Sequence, residues 1–277
     1  MNAEHCQRWR ERRASYRPAR ETIRPSEFDV ARMDDDTTPR AFVERHHYSA
    51  SYPAARERFG LYRRGALAGV AVFSHPANDK VLTNTFATLA PLDAVELGRL
   101  VLLDEIGANA ESYFVARCFE QLRAGGYRGV VSFSDPIERT SVTGTTVMPG
   151  HVGTVYQALN ARYLGLGTRR TLYILPDGTN LSARTLQKVR GAERGWLGAV
   201  ASLVERFGVE QLGAGADRDA RMDWLRRAVM PLTRKLQHPG NHKYVWTLDR
   251  RVQLAGGSTV YSYPKKVQPK LQLRLAL

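Results

Sequence analysis

An apolar strand that runs through a short turn into a helix occupies residues 96–122 and constrains the fold more than any other segment. Leu97 and the apolar run from Leu100 to Leu103 give the strand a buried pattern. Asn109 is the expected N-cap of the helix, because its side-chain oxygen can accept from a backbone N–H of the first helical turn. A helix N-terminus at the end of a strand presents unpaired N–H groups and a partial positive charge, which suit a phosphate. The segment is equally typical of an ordinary β-α connection.

The rest of the chain predicts an α/β domain with a mixed sheet. We expect a short helix that ends near residues 45–49, a β-hairpin over 59–74 and a buried strand over 128–134. Residues 153–164 are predicted to be helical, and 171–175 are predicted to form a last strand. This alternation of strands and helices is typical of a layered α/β core.

The charge of the chain favours nucleic acid as a partner. Its 41 Lys and Arg against 27 Asp and Glu give a formal charge of +14, which attracts phosphate polyanions or anionic membranes. No apolar stretch is long enough to cross a bilayer, and the start lacks the apolar core of a secretory signal, so we expect no membrane association. Two cysteines give neither a disulfide framework nor a Cys-rich metal site, which is consistent with a reducing cytoplasm.

Basic residues concentrate near both ends of the sequence. Residues 1–24 are arginine-rich and are predicted to be a mobile arm or a helix that a partner orders. Residues 179–277 place cations on helical patterns and then mix them with aromatic rings, which suits phosphate contact and base stacking. A solvated basic face explains any single cluster equally well. The predicted organisation is a basic arm at 1–24, a core at 25–178 and a basic DNA-binding extension at 179–277.

Two polar segments stand where a helix and a strand end. His46-His47-Tyr48-Ser49 follows the first predicted helix, near the expected cleft, although paired histidines are also common on solvated surfaces. Asp135 follows a core strand, where open α/β sheets expose functional groups. It can act as a general base or hold a substrate amine, or it can cap the following turn.

Three further side chains are candidates for the same site. Tyr156 and Tyr163, seven residues apart on a predicted helix, can place one phenol in the cleft or can both pack in the core. Arg99 lies in an apolar strand and needs a partner, which is either Glu96 or an anionic ligand. Zinc-ligand spacing, a Walker loop, a serine-nucleophile elbow and a G-x-G-x-x-G motif are absent from the sequence, which removes several enzyme classes.

Five separated motifs resemble, in order, the phage Mom family of DNA-modification proteins. They are Phe42 with His46-His47-Tyr48-Ser49, Glu96-Leu-Gly-Arg99-Leu, Asn109-Ala-Glu-Ser112-Tyr-Phe, Arg128 to Pro136, and Gly153-Thr-Val-Tyr156 with Tyr163-Leu-Gly. The resemblance covers roughly residues 40–190, and residues 238–245 are similar to the C-terminal region of that family.

The resemblance implies a fold and an activity. Mom proteins are similar to GNAT acyltransferases, which implies a GNAT-like mixed, mostly antiparallel sheet flanked by helices, with a basic helical extension. They convert adenine in double-stranded DNA to N6-carbamoylmethyladenine, which protects phage DNA from restriction in the host cytoplasm. Carried over onto this chain, the implied catalytic residues are His47, Tyr48, Asp135 and Tyr156. The implied cofactor-binding residues are Arg99, Asn109 and Ser112.

The sequence departs from the usual GNAT pattern in one turn. Residues 103–108 supply a single glycine and two acids, Asp104 and Glu105, which repel a pyrophosphate at close range. The product also needs more than acyl transfer, because its methylene carbon, and not an amide carbon, is joined to N6. Acetyl-CoA, a glycine-derived small-molecule donor and iron held by His47 therefore all stay open as cofactors, as do the oligomeric state and the DNA sequence context. The alternative function is a non-catalytic, basic DNA-binding protein on a GNAT-like scaffold.

Overall fold

The computed structural model describes residues 5–10, 13–18, 20–76 and 78–265. Along this part of the chain the helices and strands are β1 His5–Arg10, β2 Arg13–Pro18, β3 Phe28–Arg32, α1 Thr37–His46, β4 Ala55–Arg63, β5 Ala66–Ser74, α2 Lys80–Thr83, β6 Ala94–Leu102, α3 Ala110–Ala124, β7 Gly129–Ser134, β8 Glu138–Thr140, β9 Thr146–Pro149, α4 Thr154–Ala158, β10 Arg162–Leu166, β11 Arg170–Ile174, α5 Ala183–Gly191, α6 Trp196–Phe207, α7 Arg218–Trp224, β12 Arg234–His238 and β13 His242–Thr247. A π-helical turn continues α7.

Seven of the described strands form one sheet in the order β10-β13-β7-β6-β5-β4-β3. Neighbouring strands are antiparallel except β6 and β7, which run parallel. The helix α3 connects these two strands, since a parallel pair needs a crossover. This mixed, mostly antiparallel sheet with flanking helices confirms the expected fold class.

Local sequence patterns account for the centre of the sheet and its helix. The β4–β5 hairpin turns at Arg64 and Gly65, whose φ values of 50° and 83° are the pair of left-handed conformations that a two-residue hairpin turn uses. On α3, the helically spaced Phe114, Cys118 and Leu122 are all buried against the sheet, as predicted. The hairpin and the strand-turn-helix are therefore both where the sequence places them.

The parallel strands β6 and β7 separate along their length. Their last paired residues are Glu96 and Val131. Beyond that point β6 stays paired with β5, and β7 stays paired with β13. We call the opening between residues 97–102 of β6 and 132–134 of β7 the strand cleft. Arg99 lies on the β6 side of this cleft, and Asp135 follows the end of β7 on the other side.

The N-terminal basic region forms strands where the sequence predicts a mobile arm or a helix. Within residues 1–24, the structure describes 5–10, 13–18 and 20–24, and the rest of the predicted arm lies outside the described residues. β1 and β2 pair antiparallel over six residues each. The residues of this charged segment show neither a helical nor an alternating apolar period. The sequence pattern therefore did not predict that the two strands pair.

The predicted helix over residues 153–164 is wrong in its second half. The helix α4 is short, and Asn160 adopts a φ of 54°, a left-handed conformation that asparagine tolerates and that ends the helix. The following strand β10 pairs with β13. Tyr156 and Tyr163 therefore do not share a helix face, although the rings of both lie within 5.3 Å of the ring of Tyr244.

The described chain divides into two compact units. The sheet unit comprises the described residues within 1–137, 149–167 and 241–277, and the helical unit comprises those within 138–148 and 168–240. This division differs from the boundary that the sequence suggested after residue 178, because β13 is a central strand of the main sheet.

The helical unit has an apolar core of its own. The basic helices that the sequence predicts after residue 179 are α5, α6 and α7, and they pack around Leu186, Val200 and Trp224. β11 and β12 form a separate two-stranded sheet in this unit. No helix among the described residues of either unit combines the length and the apolar composition that a bilayer crossing requires.

Candidate active site

His47 follows the last residue of α1 and is held as a neutral imidazole. Its ring Nδ1 lies 3.1 Å from the backbone nitrogen of Ser49. Because a backbone N–H can only donate, Nδ1 accepts and the ring proton lies on Nε2. Burial, with smaller contributions from Arg99 and His151, lowers the pKa of His47 to about 3. His47 is therefore a hydrogen-bond donor through Nε2 at physiological pH and is not a general base.

A chain of hydrogen bonds joins Arg99 to His47. Arg99 donates from Nη2 to Ser51 Oγ at 2.8 Å, and the Ser51 hydroxyl donates to Ser49 Oγ at 3.3 Å. The Ser49 hydroxyl then donates to His47 Nδ1 at 2.8 Å. This chain runs in one direction only, so the charge of Arg99 reinforces the tautomer of His47.

Arg99 is half-buried on β6, and its guanidinium donates to two backbone carbonyl groups. It donates to Ser51 O at 2.8 Å and to Gly98 O at 2.6 Å. Burial raises the pKa of the nearby Glu96, and the charge of Arg99 opposes that rise. The sequence left Glu96 or a ligand as the partner of Arg99. The structure provides Ser51 as the hydrogen-bond partner and Glu96 as the electrostatic one.

Tyr48 lies where two loops meet. Its ring centroid is 4.2 Å from that of His47, and its hydroxyl oxygen is 3.4 Å from His151 Nε2. Since Nδ1 of His151 accepts from the backbone N–H of Gly153 at 3.3 Å, the Nε2 proton of His151 points to the Tyr48 oxygen. The backbone N–H of His151 also donates to Asp135 O at 2.7 Å. The loop after α1 and the loop after β7 are thereby joined at Tyr48.

Tyr156 is a buried phenol at the floor of the strand cleft. Burial raises its pKa, and a hydrogen bond with Ser132 and the charge of Arg99 act in the opposite direction. The Ser132 hydroxyl in turn donates to Leu97 O at 2.9 Å, where the two strands part. Gly153, at φ 69°, lets the ring approach, because a Cβ there would lie 2.7 Å from the Tyr156 ring. The phenol therefore stays protonated and can donate.

Asp135 follows the last residue of β7 and caps the turn after it. Its Oδ1 accepts from the backbone N–H of Ile137 at 3.0 Å. Burial lowers the pKa of His242, and the negative charge of Asp135 raises it. His242 Nδ1 is 2.7 Å from the hydroxyl of Tyr163. Asp135 therefore caps the turn, as one of its two sequence interpretations predicts.

The structure brings together four predicted residues, His47, Tyr48, Arg99 and Tyr156, and joins Asp135 to them through His151. Tyr48 and Tyr156 interact electrostatically with Arg99. The positive charge of Arg99 in turn helps to lower the pKa of His47. Neither His151 nor Ser51 is among the site residues predicted from the sequence. For His151 the one local signal is its place between two glycines, 150 and 153, which both adopt positive φ and form a tight loop.

Asn109 and Ser112 lie at the N-terminus of α3 and bind the chain itself. Asn109 has a φ of 73° and makes no side-chain cap, so the predicted capping contact is wrong. Its Nδ2 donates to Glu21 O at 3.1 Å, and the Ser112 hydroxyl donates to Asn109 O at 2.9 Å. The Glu21 carboxylate accepts from the backbone N–H of Ala108 at 2.7 Å. An internal carboxylate is therefore bound to the turn that leads into α3, the segment that the sequence predicted as a phosphate site.

The turn before α3 does not fit the pyrophosphate of a CoA-type cofactor. The guanidinium of Arg8, a residue 8% exposed, donates to the carbonyls of Leu103, Ile106 and Gly107. With Glu21 on its N–H side and Arg8 on its carbonyl side, the turn is closed by the N-terminal residues. The two acids that the turn carries add further repulsion toward phosphate.

The histidines of the cleft are not arranged as a metal site. Within the part of the chain that the structure describes, no group of three or more His, Cys, Asp and Glu residues is placed to hold a metal ion. Nδ1 of His47 and Nδ1 of His151 each accept a backbone N–H, so neither of these nitrogens is available as a ligand.

Comparison with known proteins gives one family match and several distant structural similarities. The model of the Mom protein family matches residues 27–265. No curated protein matches the chain.

The similar solved structures include an N-acetyltransferase from Staphylococcus aureus Mu50, a Bacillus subtilis acetyltransferase in complex with CoA, and a tandem GNAT protein from the clavulanic acid biosynthesis pathway. Their sequence identities are 18%, 8% and 10%, with TM-scores of 0.26, 0.34 and 0.34. The matches cover 42%, 79% and 72% of this chain and 56%, 98% and 64% of the other chains. At these values the similarities support no conclusion about activity.

Proposed function

The chain belongs to the Mom protein family, and from that premise we propose that it modifies adenine in double-stranded DNA. The product we propose is N6-carbamoylmethyladenine, a modification that protects phage DNA from restriction. One observation carries this proposal: side chains from separate motifs of that family, including His47, Tyr48, Arg99 and Tyr156, meet at the strand cleft.

Double-stranded DNA is the proposed macromolecular partner. A chain with a formal charge of +14 attracts a polyanion and binds phosphates through Lys and Arg. In the N-terminal hairpin, Arg8 pairs with Glu111, and Arg17 pairs with Glu21 in the segment that follows. These cations are already neutralised, so we place the phosphate contacts mainly on the basic C-terminal region. The target adenine has to leave the base stack for its N6 to reach a cleft of this kind.

The proposed reaction defines what the side chains must do. It forms a bond between adenine N6 and the methylene carbon of a carbamoylmethyl donor, breaks the bond from that carbon to its leaving group, and releases one proton from N6. A base has to accept that proton. We assign this role to Asp135, because His47, with its pKa of about 3, cannot accept a proton at neutral pH.

The remaining residues hold and polarise the donor. Arg99 supplies a fixed positive charge for a negatively charged donor or leaving group. The Nε2–H of His47 is a hydrogen-bond donor at the same cleft, and Tyr48 positions the incoming base or donor. The protonated phenol of Tyr156 donates to Ser132 Oγ, whose own proton goes to Leu97 O, and so fixes the wall of the cleft. Because the turn before α3 does not fit a pyrophosphate, we propose a small donor, such as a glycine-derived one, that binds in the strand cleft alone.

Nucleoside mass spectrometry of DNA from cells that express the chain tests this function. A carbamoylmethylated deoxyadenosine is expected with the wild type. An unchanged adenine profile together with retained DNA binding would instead support the non-catalytic alternative and refute the enzyme.

The Asp135→Asn variant tests the assignment of the base. Asparagine keeps an oxygen for the turn at Ile137 but cannot accept the N6 proton, so modification should fall by about 100-fold or more. Asp29→Asn is the matched control, since Asp29 is an exposed carboxylate on the edge strand β3. Full activity of Asp135→Asn would remove Asp135 from the mechanism.

A further inference from the structure

A recess with a volume of about 830 Å³ lies at the end of the sheet opposite the strand cleft, where α3 ends and β7 begins. Four arginines line it together with one aromatic ring and one carboxylate: Arg123, Arg128, Arg250, Arg251, Tyr127 and Asp249. We call it the arginine recess. Its charged side chains are these four cations and a single acid, so its formal charge is three positive units.

Contacts with the fold hold three of the four guanidinium groups. Asp249 accepts from Arg251 Nε at 3.2 Å and Nη2 at 3.0 Å, and Arg128 Nε lies 3.4 Å from Asp249 Oδ2. Arg123 donates from Nε to Leu248 O at 2.8 Å. Each contact leaves terminal N–H groups of the same guanidinium for a ligand. Arg123, which binds a backbone carbonyl, is thereby positioned before a ligand binds, and this reduces the entropic cost of binding an anion.

The fourth arginine is not needed by the fold. Arg250 is exposed, and among the described residues no hydrogen bond or ion pair holds its side chain. One carboxylate, that of Asp249, cannot neutralise four cations. Asp249 is itself strongly ionised, because its hydrogen bond with Arg251 lowers its pKa to about 2. The surplus charge is a reason to expect an anionic ligand.

We propose that the arginine recess binds a phosphate group of the DNA backbone at a distance from the target adenine. Planar guanidinium groups match the geometry of phosphate oxygens. The residues of the recess select a phosphate ester by their own chemistry. The proposal rests on the proposed function only in naming DNA as the polyanion that carries this phosphate.

The spacing along β7 gives the position of this phosphate. A strand rises by about 3.3 Å per residue, so Arg128 lies roughly 23 Å from Asp135. Phosphates of one DNA strand advance by about 3.4 Å per base pair along the helix axis. A duplex that runs along β7 with its target at the cleft would therefore reach the recess about seven base pairs away.

Two duplexes and the Arg250→Ala variant test the proposal. One duplex extends about ten base pairs on each side of the target, and the other extends about three, too short to reach the recess by the spacing above. Loss of one phosphate contact should reduce the slope of log K against log salt by about 0.9 and weaken binding of the long duplex about fivefold near 0.15 M salt. The short duplex should bind equally to wild type and variant.

Lys80→Ala is the matched control, because Lys80 is an exposed cation on α2, outside the recess. It should leave both affinities unchanged, and Arg250→Lys should restore part of the loss. Equal weakening of both duplexes, or of neither, overturns the proposal.

Titration with inorganic phosphate separates the two sources of the ligand. If Arg250→Ala abolishes phosphate binding but leaves the long duplex unaffected, the site serves a free phosphate ester and the assignment to DNA is wrong. Binding can be measured whether or not adenine becomes modified, so failure of the proposed function would remain distinguishable from failure of the recess.

Discussion

Replacing Arg99 by methionine should disable the strand cleft while the protein stays folded. The guanidinium donates to the oxygen atoms of Ser51 and Gly98 at 2.6–2.8 Å and begins the hydrogen-bond chain that ends at His47. Methionine keeps most of the aliphatic length and removes the charge and all donors. The pKa of Glu96, already raised by burial, should rise further, because Arg99 is the group that lowers it.

The expected loss of stability is modest. A hydrogen bond from a charged group contributes about 1.5–3 kcal/mol when its partners are well shielded. Arg99 is half-buried, so water replaces part of these contacts and the whole substitution should cost about 1–3 kcal/mol. The rate of modification should fall by about 100-fold or more, because a fixed charge at the reacting groups is lost.

Arg56→Met is the matched control for this substitution. Arg56 is also half-buried, and it donates to the carbonyls of Pro91, Leu92 and Ala94 at 3.0–3.2 Å, at the start of β6. Urea unfolding should give similar losses for the two variants, and nucleoside mass spectrometry should give a large loss of modification for Arg99→Met alone. Equal losses of activity, or full activity of Arg99→Met, would refute the assigned role of Arg99.

Three further predictions concern stability and can be measured by urea unfolding. His47 has a pKa of about 3 when folded and 6.5 as its ordinary value, so its protonation favours the unfolded state. Relative to His47→Gln, the wild type should keep its full stability above pH 6.5 and lose about 1.4 kcal/mol per pH unit below it; parallel profiles of the two proteins would contradict this. Gly153→Ala should cost about 2–4 kcal/mol, because φ is 69° and the new Cβ would meet the Tyr156 ring, and an unchanged midpoint would argue against that contact. Arg8→Met should cost about 3 kcal/mol by leaving Glu111 unpaired and the turn carbonyls unsatisfied, and a neutral effect would indicate that the hairpin does not hold the turn.

Local patterns predicted those parts of the fold that local forces determine. The period of Phe114, Cys118 and Leu122 identified α3 and its buried face, and the Arg64-Gly65 turn identified the hairpin. The patterns failed where pairing between distant segments decides the structure. Residues 162–166 join the sheet only because β13, about 80 residues later, supplies the neighbouring strand.

The same difference between local patterns and long-range contacts applies to the candidate site. Motifs indicated His47, Tyr48, Arg99 and Tyr156 by residue type, but their meeting point depends on the separation of β6 from β7, which no single segment encodes. His151 lies in a loop without periodic neighbours, so only the folded chain brings it to Tyr48.

The N-terminus of α3 shows most clearly what local sequence patterns cannot predict. From the sequence, Asn109 and Ser112 have the spacing of a helix start that is open to a ligand. In the structure Glu21, 87 residues before Ala108, supplies a carboxylate that accepts from the backbone N–H of Ala108, two residues before α3 begins. A charged side chain in an arginine-rich segment gives no local signal that it will occupy such a position.

We propose that the strand cleft transfers a carbamoylmethyl group to adenine N6 in DNA. Tandem mass spectrometry of nucleosides from cells that express the wild type locates the added group within the nucleoside. We expect a deoxyadenosine that carries the group on N6 through its methylene carbon. Unmodified deoxyadenosine, or a group on another base or another atom of adenine, would contradict the account.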